Sequence, residues 1–147
     1  EMIDIGQLIL MGIEGKTLLQ EESEFIKKEN IGGIILFSKN YEDPIQLAQL
    51  VNSIQKLRKD YPLFISVDHE GGRIQRFQDG FSQLPACGLL GSRKPIKEAQ
   101  LLAHQAGWLM ATELLSVGVD FSFANLKNTN FLLNLKILSL SFFKFTE

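Results

Sequence analysis

Two short runs of the sequence, GGIILF (residues 32–37) and PLFISV (residues 62–67), are apolar on both faces. Parallel strands that are covered by helices on both sides have this composition, whereas half-exposed antiparallel strands alternate polar and apolar side chains. Two further runs, at residues 7–13 and 118–124, are also strand-like. The pattern therefore predicts a parallel α/β sheet or barrel.

Segments with helical periodicity separate these strands. Asp43 is suited to cap a helix and Pro44 to open it. Apolar residues then recur at helical spacing, namely Leu47, Leu50, Val51, Ile54 and Leu57. Two more helices are predicted at residues 20–29 and 95–117. In the second of these, the residues predicted to face inwards are Ala99, Leu102, Ala106, Leu109 and Met110.

The resulting order of elements is βαβαβαβ. This order fits the opening of a (β/α)8 barrel as well as an open doubly wound sheet, and periodicity does not choose between them. Trp108 shares the long helix with Leu109 and Met110, so burial in the core is the expectation for it over a sugar-stacking role.

Composition excludes several classes of partner and predicts one soluble globular unit. The chain has 147 residues and a formal net charge of −2, without a basic stripe that could neutralise phosphates or bind a membrane surface. The lone Cys87 rules out an internal disulfide framework and suits a reducing compartment. The first residues lack the basic segment of a signal peptide, so a cytoplasmic location is expected.

The stretch VDHEGGRIQRF (residues 67–77), which combines two acids, a histidine and two arginines, begins at the end of the third strand. Ligands collect at the carboxyl ends of strands in both candidate folds. The stretch has neither a dinucleotide-binding nor a P-loop pattern, and Arg73 stands where a zinc-binding HExxH motif would need its second histidine. Alternation along an extended backbone would also send His69 away from Asp68 and Glu70. We therefore predict no metal site and no cofactor.

Sugar binding explains these residues better than catalysis does. Asp68 and Glu70 lie two residues apart on one strand end, where they would project side by side and could not flank a glycosidic bond. Asp68 can instead accept hydrogen bonds from vicinal hydroxyls, and Arg76 can donate to a ring or acyl oxygen. The alternative, in which Arg73 or Arg76 only pairs with a neighbouring carboxylate and fixes the loop, stays open.

Three segments, GGIILFSKNY, SVDHEGGRIQRFQDGFSQLPA and AGWLMATELLSVGVDFSFA, occur in unbroken order. Together they resemble the amino-terminal third of glycoside hydrolase family 3 enzymes, in particular the bacterial β-N-acetylglucosaminidases of peptidoglycan recycling. The resemblance implies the first half of a (β/α)8 TIM-type barrel. It also implies retaining hydrolysis, through a covalent glycosyl-enzyme, that releases terminal β-linked N-acetylglucosamine from a muropeptide or saccharide.

The resemblance also assigns roles within the loop. By matching position, Asp68 and Arg76 would line the pocket for the non-reducing sugar, whereas Glu70 and the two glycines after it would shape the loop. His69 stands where these enzymes commonly have glutamine, and we interpret it as a tolerated variation.

The resemblance ends at Ala124, which predicts a partial barrel domain over residues 1–124 and a non-matching tail over residues 125–147. The family continues into a Pro-Val-x-Asp-Val stretch, and Asn128 occupies the expected aspartate position. The tail contains no glycine, proline or aspartate. A shifted reading frame and a natural capping element are the two explanations for this change.

The family's catalytic residues lie in later barrel strands, so the resemblance places no catalytic residue in this chain. His104 is no substitute, because it falls within a helix, several turns from any strand end. We therefore expect an inactive, sugar-binding half barrel that self-associates through its exposed strand edge. This interpretation makes the chain part of a hydrolase of terminal β-linked N-acetylglucosamine; the alternative is a fragment whose role is only to bind sugar or to serve as structure, without catalysis.

Overall fold

The computed structural model describes residues 4–86, 88–89 and 95–124. Within these residues, four parallel strands form one sheet in the order of the sequence. The strands are β1 (Leu10–Gly12), β2 (Gly33–Leu36), β3 (Phe64–Val67) and β4 (Phe121–Ser122). The prediction of a parallel α/β sheet is confirmed, and each strand lies inside its predicted run.

A helix follows each of the first three strands. These helices are α1 (Gln20–Lys28), α2 (Pro44–Gln55) and α3 (Ile96–Ser116). Helix α2 begins as predicted: Pro44 is its first residue, and the Asp43 carboxylate accepts a 2.8 Å hydrogen bond from the Gln46 amide. Two short 3-10 helices, Ile5–Leu8 and Ser38–Asn40, also lie within the described residues.

The central strands are buried, as their composition predicts. Ile34, Leu36, Ile65 and Val67 are fully buried. The apolar face of α2 packs on this sheet through Leu47, Leu50, Val51 and Ile54, all of which belong to the same core cluster. Leu57 packs against the cluster just beyond the end of α2.

The burial of side chains on helix α3 agrees with the prediction at every residue except Trp108. Ala99 and Met110 are buried as expected, and Leu102, Ala106 and Leu109 are partly buried. Trp108, however, is 65% exposed. Successive helical residues are separated by about 100°, so position 108 points away from the face that carries Met110 and Leu114 into the core.

The strand order distinguishes the two candidate architectures. A doubly wound sheet reverses its order at a switch point, whereas barrel strands follow one another around the wall. The observed order, β1-β2-β3-β4, is that of a (β/α)8 TIM-type barrel over its first strands. No helix in the described ranges is both long and apolar enough to cross a membrane.

Candidate functional site

The predicted site lies at the carboxyl end of β3. Asp68 directly follows Val67, the last residue of this strand, and Arg76 returns to it from the following loop. The Arg76 Nη2 atom donates to Asp68 Oδ2 at 3.0 Å. The side chains of Arg76 and Asp68 are 32% and 27% exposed, so the pair is accessible from one side. The structure therefore brings the two predicted site residues together.

A tight turn with two glycines returns the chain towards Asp68. The Gly71 and Gly72 φ angles are 81° and 57°, in the left-handed region that favours glycine. A Cβ atom on Gly71 would lie 2.7 Å from the Pro85 carbonyl oxygen, and one on Gly72 would lie 2.6 Å from the Ala86 Cβ atom. The turn consequently packs closely against residues 84–86, which fixes its position.

Gln75 forms hydrogen bonds with the backbone of the loop that follows the turn. Its buried amide nitrogen donates to the carbonyl oxygens of Phe77 and Ser82, at 3.1 and 2.9 Å, and its amide oxygen accepts from the Leu84 N–H at 2.9 Å. Because Gln75 and Phe77 are buried on either side of Arg76, the guanidinium points to the opposite face. Sequence reasoning missed Gln75, because IQRF places two polar residues between two apolar ones and this order gives no signal that Gln75 is buried.

His69 faces away from Asp68 into an aromatic cluster. The imidazole is 1% exposed, and its centroid lies 5.6 Å from the Phe77 ring and 5.9 Å from the Phe81 ring. Burial lowers the pKa of His69 to about 4, against the opposing effect of the Glu113 and Asp68 carboxylates. The imidazole is therefore neutral at pH 7.

The same cluster excludes Phe77 as a sugar-stacking platform. Phe77 is fully buried, between His69 and the Tyr41 ring, whose centroid lies 4.9 Å away. The Tyr41 hydroxyl also donates to the Asp79 carbonyl oxygen. The aromatic residues thus pack beneath the loop, whereas Asp68 and Arg76 stay partly exposed.

Helix α3 holds the far end of the loop through Glu113. Its carboxylate accepts hydrogen bonds from the Ser82 N–H, at 3.1 Å, and from the Ser82 hydroxyl, at 2.6 Å. Sequence reasoning also missed this contact, because its partners are 31 residues apart. It joins the loop to the same helix that packs on the sheet.

The other two residues that the sequence offered for a site, Arg73 and His104, do not join the Asp68–Arg76 pair. Arg73 is exposed at the tip of the turn, and Arg76, not Arg73, pairs with Asp68. His104 is exposed on α3. Across the described ranges, no three metal-ligating side chains cluster.

A parallel sheet in barrel order, with a helix after each of the first three strands, is the architecture of an α/β barrel, a fold whose ligands bind at the carboxyl ends of its strands. Residues 3–129 match the family model described as the glycosyl hydrolase family 3 N terminal domain. The chain belongs to this family, as the sequence motifs predict.

Individual relatives agree with the family match. The chain is 54% identical over 118 residues to the beta-hexosaminidase of Hydrogenovibrio crunogenus, covering 79% of this chain and 33% of the relative. It is 50% identical over 119 residues to that of Alkalilimnicola ehrlichii, covering 79% of this chain and 34% of the relative. The chain thus spans about a third of the length of these relatives.

A solved structure also resembles the fold. NagZ from Neisseria gonorrhoeae in complex with N-trifluoroacetyl-D-glucosamine superposes with a TM-score of 0.76 at 41% identity. The match covers 80% of this chain and 35% of that protein.

Proposed function

We propose that this chain forms the part of a family 3 β-N-acetylglucosaminidase that binds the non-reducing sugar. The observation that carries the proposal is the accessible Asp68–Arg76 pair at the carboxyl end of β3. The relatives named beta-hexosaminidase support the enzyme class, and the NagZ complex with N-trifluoroacetyl-D-glucosamine supports an N-acetylglucosamine-type ligand.

The pair has the chemistry that a sugar requires. The Asp68 carboxylate uses one oxygen for Arg76 and retains further lone pairs that can accept hydrogen bonds from sugar hydroxyls. The Arg76 guanidinium has five N–H donors and engages Asp68 through Nη2, so it can also donate to a ring or acyl oxygen. The ion pair orients both groups before the ligand arrives.

The proposed reaction of the whole enzyme is retaining hydrolysis of terminal β-linked N-acetylglucosamine. Retention requires a carboxylate nucleophile and a separate proton donor on either side of the glycosidic bond. Asp68 pairs with Arg76, and Glu70 lies only two residues further on, in the turn after β3, so we propose that these two acids do not form such a pair. We therefore place the catalytic pair outside residues 1–124, and we expect residues 1–147 alone to bind the sugar without turnover.

The biological setting belongs to the same proposal. We propose an N-acetylglucosamine-containing muropeptide or saccharide as substrate, in the cytoplasm, during peptidoglycan recycling. Strands β1 and β4 form the two edges of the described sheet, and Leu10 on β1 is 40% exposed. Such edges support pairing with further strands, including those of a second copy.

Calorimetric titration with N-acetylglucosamine tests the binding role. We expect weak binding that Asp68→Ala and Arg76→Ala abolish, because each change removes one half of the pair. Arg73→Ala is the matched control, since it removes an exposed arginine from the same loop, and it should leave binding unchanged. Equal binding by all four proteins would disprove the assignment.

A hydrolysis assay separates the binding fragment from an active enzyme. We expect no product from a chromogenic β-N-acetylglucosaminide at high protein concentration. Turnover that disappears in Asp68→Ala would make Asp68 catalytic and overturn this part of the proposal. Absence of both turnover and sugar binding would favour a purely structural role for the chain.

A further inference from the structure

One side chain of β4 binds both backbone polar groups of the residue after Asp68. The His69 N–H donates to the Ser122 Oγ atom at 3.2 Å, and the Ser122 hydroxyl donates to the His69 carbonyl oxygen at 2.8 Å. Both residues are buried, and they lie 53 positions apart in the sequence. A single hydroxyl therefore satisfies two buried backbone groups that would otherwise lose their hydrogen bonds.

The contact between Ser122 and His69 lies just beyond the last residue pair of strands β3 and β4. The register pairs Val67 with Ser122, and the Phe123 N–H donates to the Val67 carbonyl oxygen at 2.9 Å. Strand β3 ends at Val67, and beyond it the Ser122 side chain holds the chain instead of the backbone ladder.

The contact fixes the backbone on one side of Asp68. The His69 N–H belongs to the peptide that joins Asp68 to His69, so Ser122 orients the peptide plane next to the Asp68 Cα atom. The aromatic rings of Phe77 and Phe81 hold the His69 side chain from the other direction. His69 is thus anchored by backbone and by side chain, and the carboxylate of Asp68 is carried on this anchored segment.

We propose that Ser122 is a positioning residue for the Asp68–Arg76 sugar site, acting through the His69 backbone without touching the ligand. This inference rests on the proposed sugar-binding function. It assigns the end of β4, as well as the loop after β3, to the site.

Ser66 provides a matched control for a merely structural hydroxyl. It is also a buried serine, and its Oγ atom donates to the Ile34 carbonyl oxygen at 3.0 Å, within the pairing of β2 and β3. Ser66→Ala therefore removes a buried hydroxyl from the same sheet without releasing the peptide after Asp68. A difference in sugar binding between Ser122→Ala and Ser66→Ala separates positioning from general stability.

The experiment compares N-acetylglucosamine affinity, thermal unfolding and amide hydrogen exchange in residues 1–147 and its variants. We expect Ser122→Ala to weaken binding roughly tenfold, the effect of about one hydrogen bond. Ser122→Thr, which keeps the hydroxyl, should restore most of the affinity. Ser66→Ala should lower the unfolding temperature while affinity stays unchanged, and only Ser122→Ala should speed exchange of the His69 amide.

The outcomes distinguish this inference from the function on which it rests. If Ser122→Ala binds as tightly as the unaltered chain while Asp68→Ala does not bind, the inference is wrong and the proposed function stands. If the unaltered chain does not bind the sugar, the proposed function is wrong, and the positioning role that rests on it is wrong too. If Ser122→Ala does not fold, Ser122→Cys replaces it, since a thiol forms a weaker hydrogen bond, and unchanged affinity would again disprove the positioning role.

Discussion

The ends of β2 and β3 lie at the same edge of the sheet but use polar residues differently. After β2, the Asn40 amide is fully buried and is satisfied by backbone: its nitrogen donates to the Ile13 and Gly15 carbonyl oxygens, and its oxygen accepts from the Phe37 N–H. After β3, the charged pair of Asp68 and Arg76 stays accessible above buried aromatic rings.

The two strand ends differ in how much hydrogen-bonding capacity they leave for a ligand. A neutral amide whose hydrogen bonds are used by backbone closes the end of β2 and leaves little capacity for a ligand. A carboxylate that is oriented by one arginine contact retains further lone pairs at an accessible surface. The end of β3 is therefore the part of the described edge best suited to a polar ligand.

Among the changes that test this comparison, Asn40→Ala should lower the free energy of unfolding most. The change removes three hydrogen bonds and leaves buried backbone groups unpaired, so we expect a loss of about 4 kcal/mol in the free energy of unfolding. Urea denaturation measures it. Asn52→Ala, on the exposed surface of α2, is the control and should cost far less. A loss below about 1 kcal/mol for Asn40→Ala would show that the amide is not structural.

Acid should destabilise the end of β3 through His69. Its pKa is lowered from 6.5 to about 4, so the unfolded state binds a proton more readily than the folded state. The stabilising contribution is complete above pH 6.5 and is lost as the pH falls towards 4, by about 3 kcal/mol in total.

Unfolding curves between pH 7 and 4 measure this loss. His69→Gln removes the titrating group and should flatten the pH dependence in this range. His104→Gln, which alters an exposed histidine of α3, should retain it. Identical pH profiles for His69→Gln and the unaltered chain would contradict the assignment of the effect to His69.

Removing the exposed ion pairs near β1 and β2 should change stability least. Lys39 contacts Glu14 at 3.1 Å, and Lys16 contacts Glu42 at 3.1 Å, all with largely exposed side chains. A double-mutant cycle on Lys39 and Glu14 should give a coupling energy below about 0.5 kcal/mol, because water screens such pairs. Sugar affinity should also stay unchanged. A coupling energy above about 1 kcal/mol would show that this surface is more ordered than its exposure indicates.

The sequence was most informative where a local rule applied. The two-sided apolar runs predicted β2 and β3, and Asp43 with Pro44 predicted the start of α2, because burial and capping depend on neighbouring residues. Alternation correctly predicted that His69 would turn away from Asp68. The expectation for Trp108 is wrong because successive helical residues point about 100° apart, so adjacency to Leu109 and Met110 does not place its side chain in the core.

Contacts between distant residues were beyond these local rules. Gln75 holds groups up to nine residues away, Glu113 reaches the loop from α3, and Ser122 reaches His69 across 53 positions. A polar side chain can have many partners, and its position in a pattern does not select among them. The sequence therefore predicted a candidate site at the strand end, where Asp68 and Arg76 do pair, but it did not predict the residues that support this strand end.

The exposure of Trp108 has a spectroscopic consequence. It is the single tryptophan of the chain, so excitation at long ultraviolet wavelengths reports on this indole alone. Because most of the ring is already in water, unfolding changes its surroundings little, and the fluorescence change on denaturation should be small. A blue shift of the emission with rising protein concentration would instead signal that the outer face of α3 has become covered, which makes Trp108 a built-in probe of assembly.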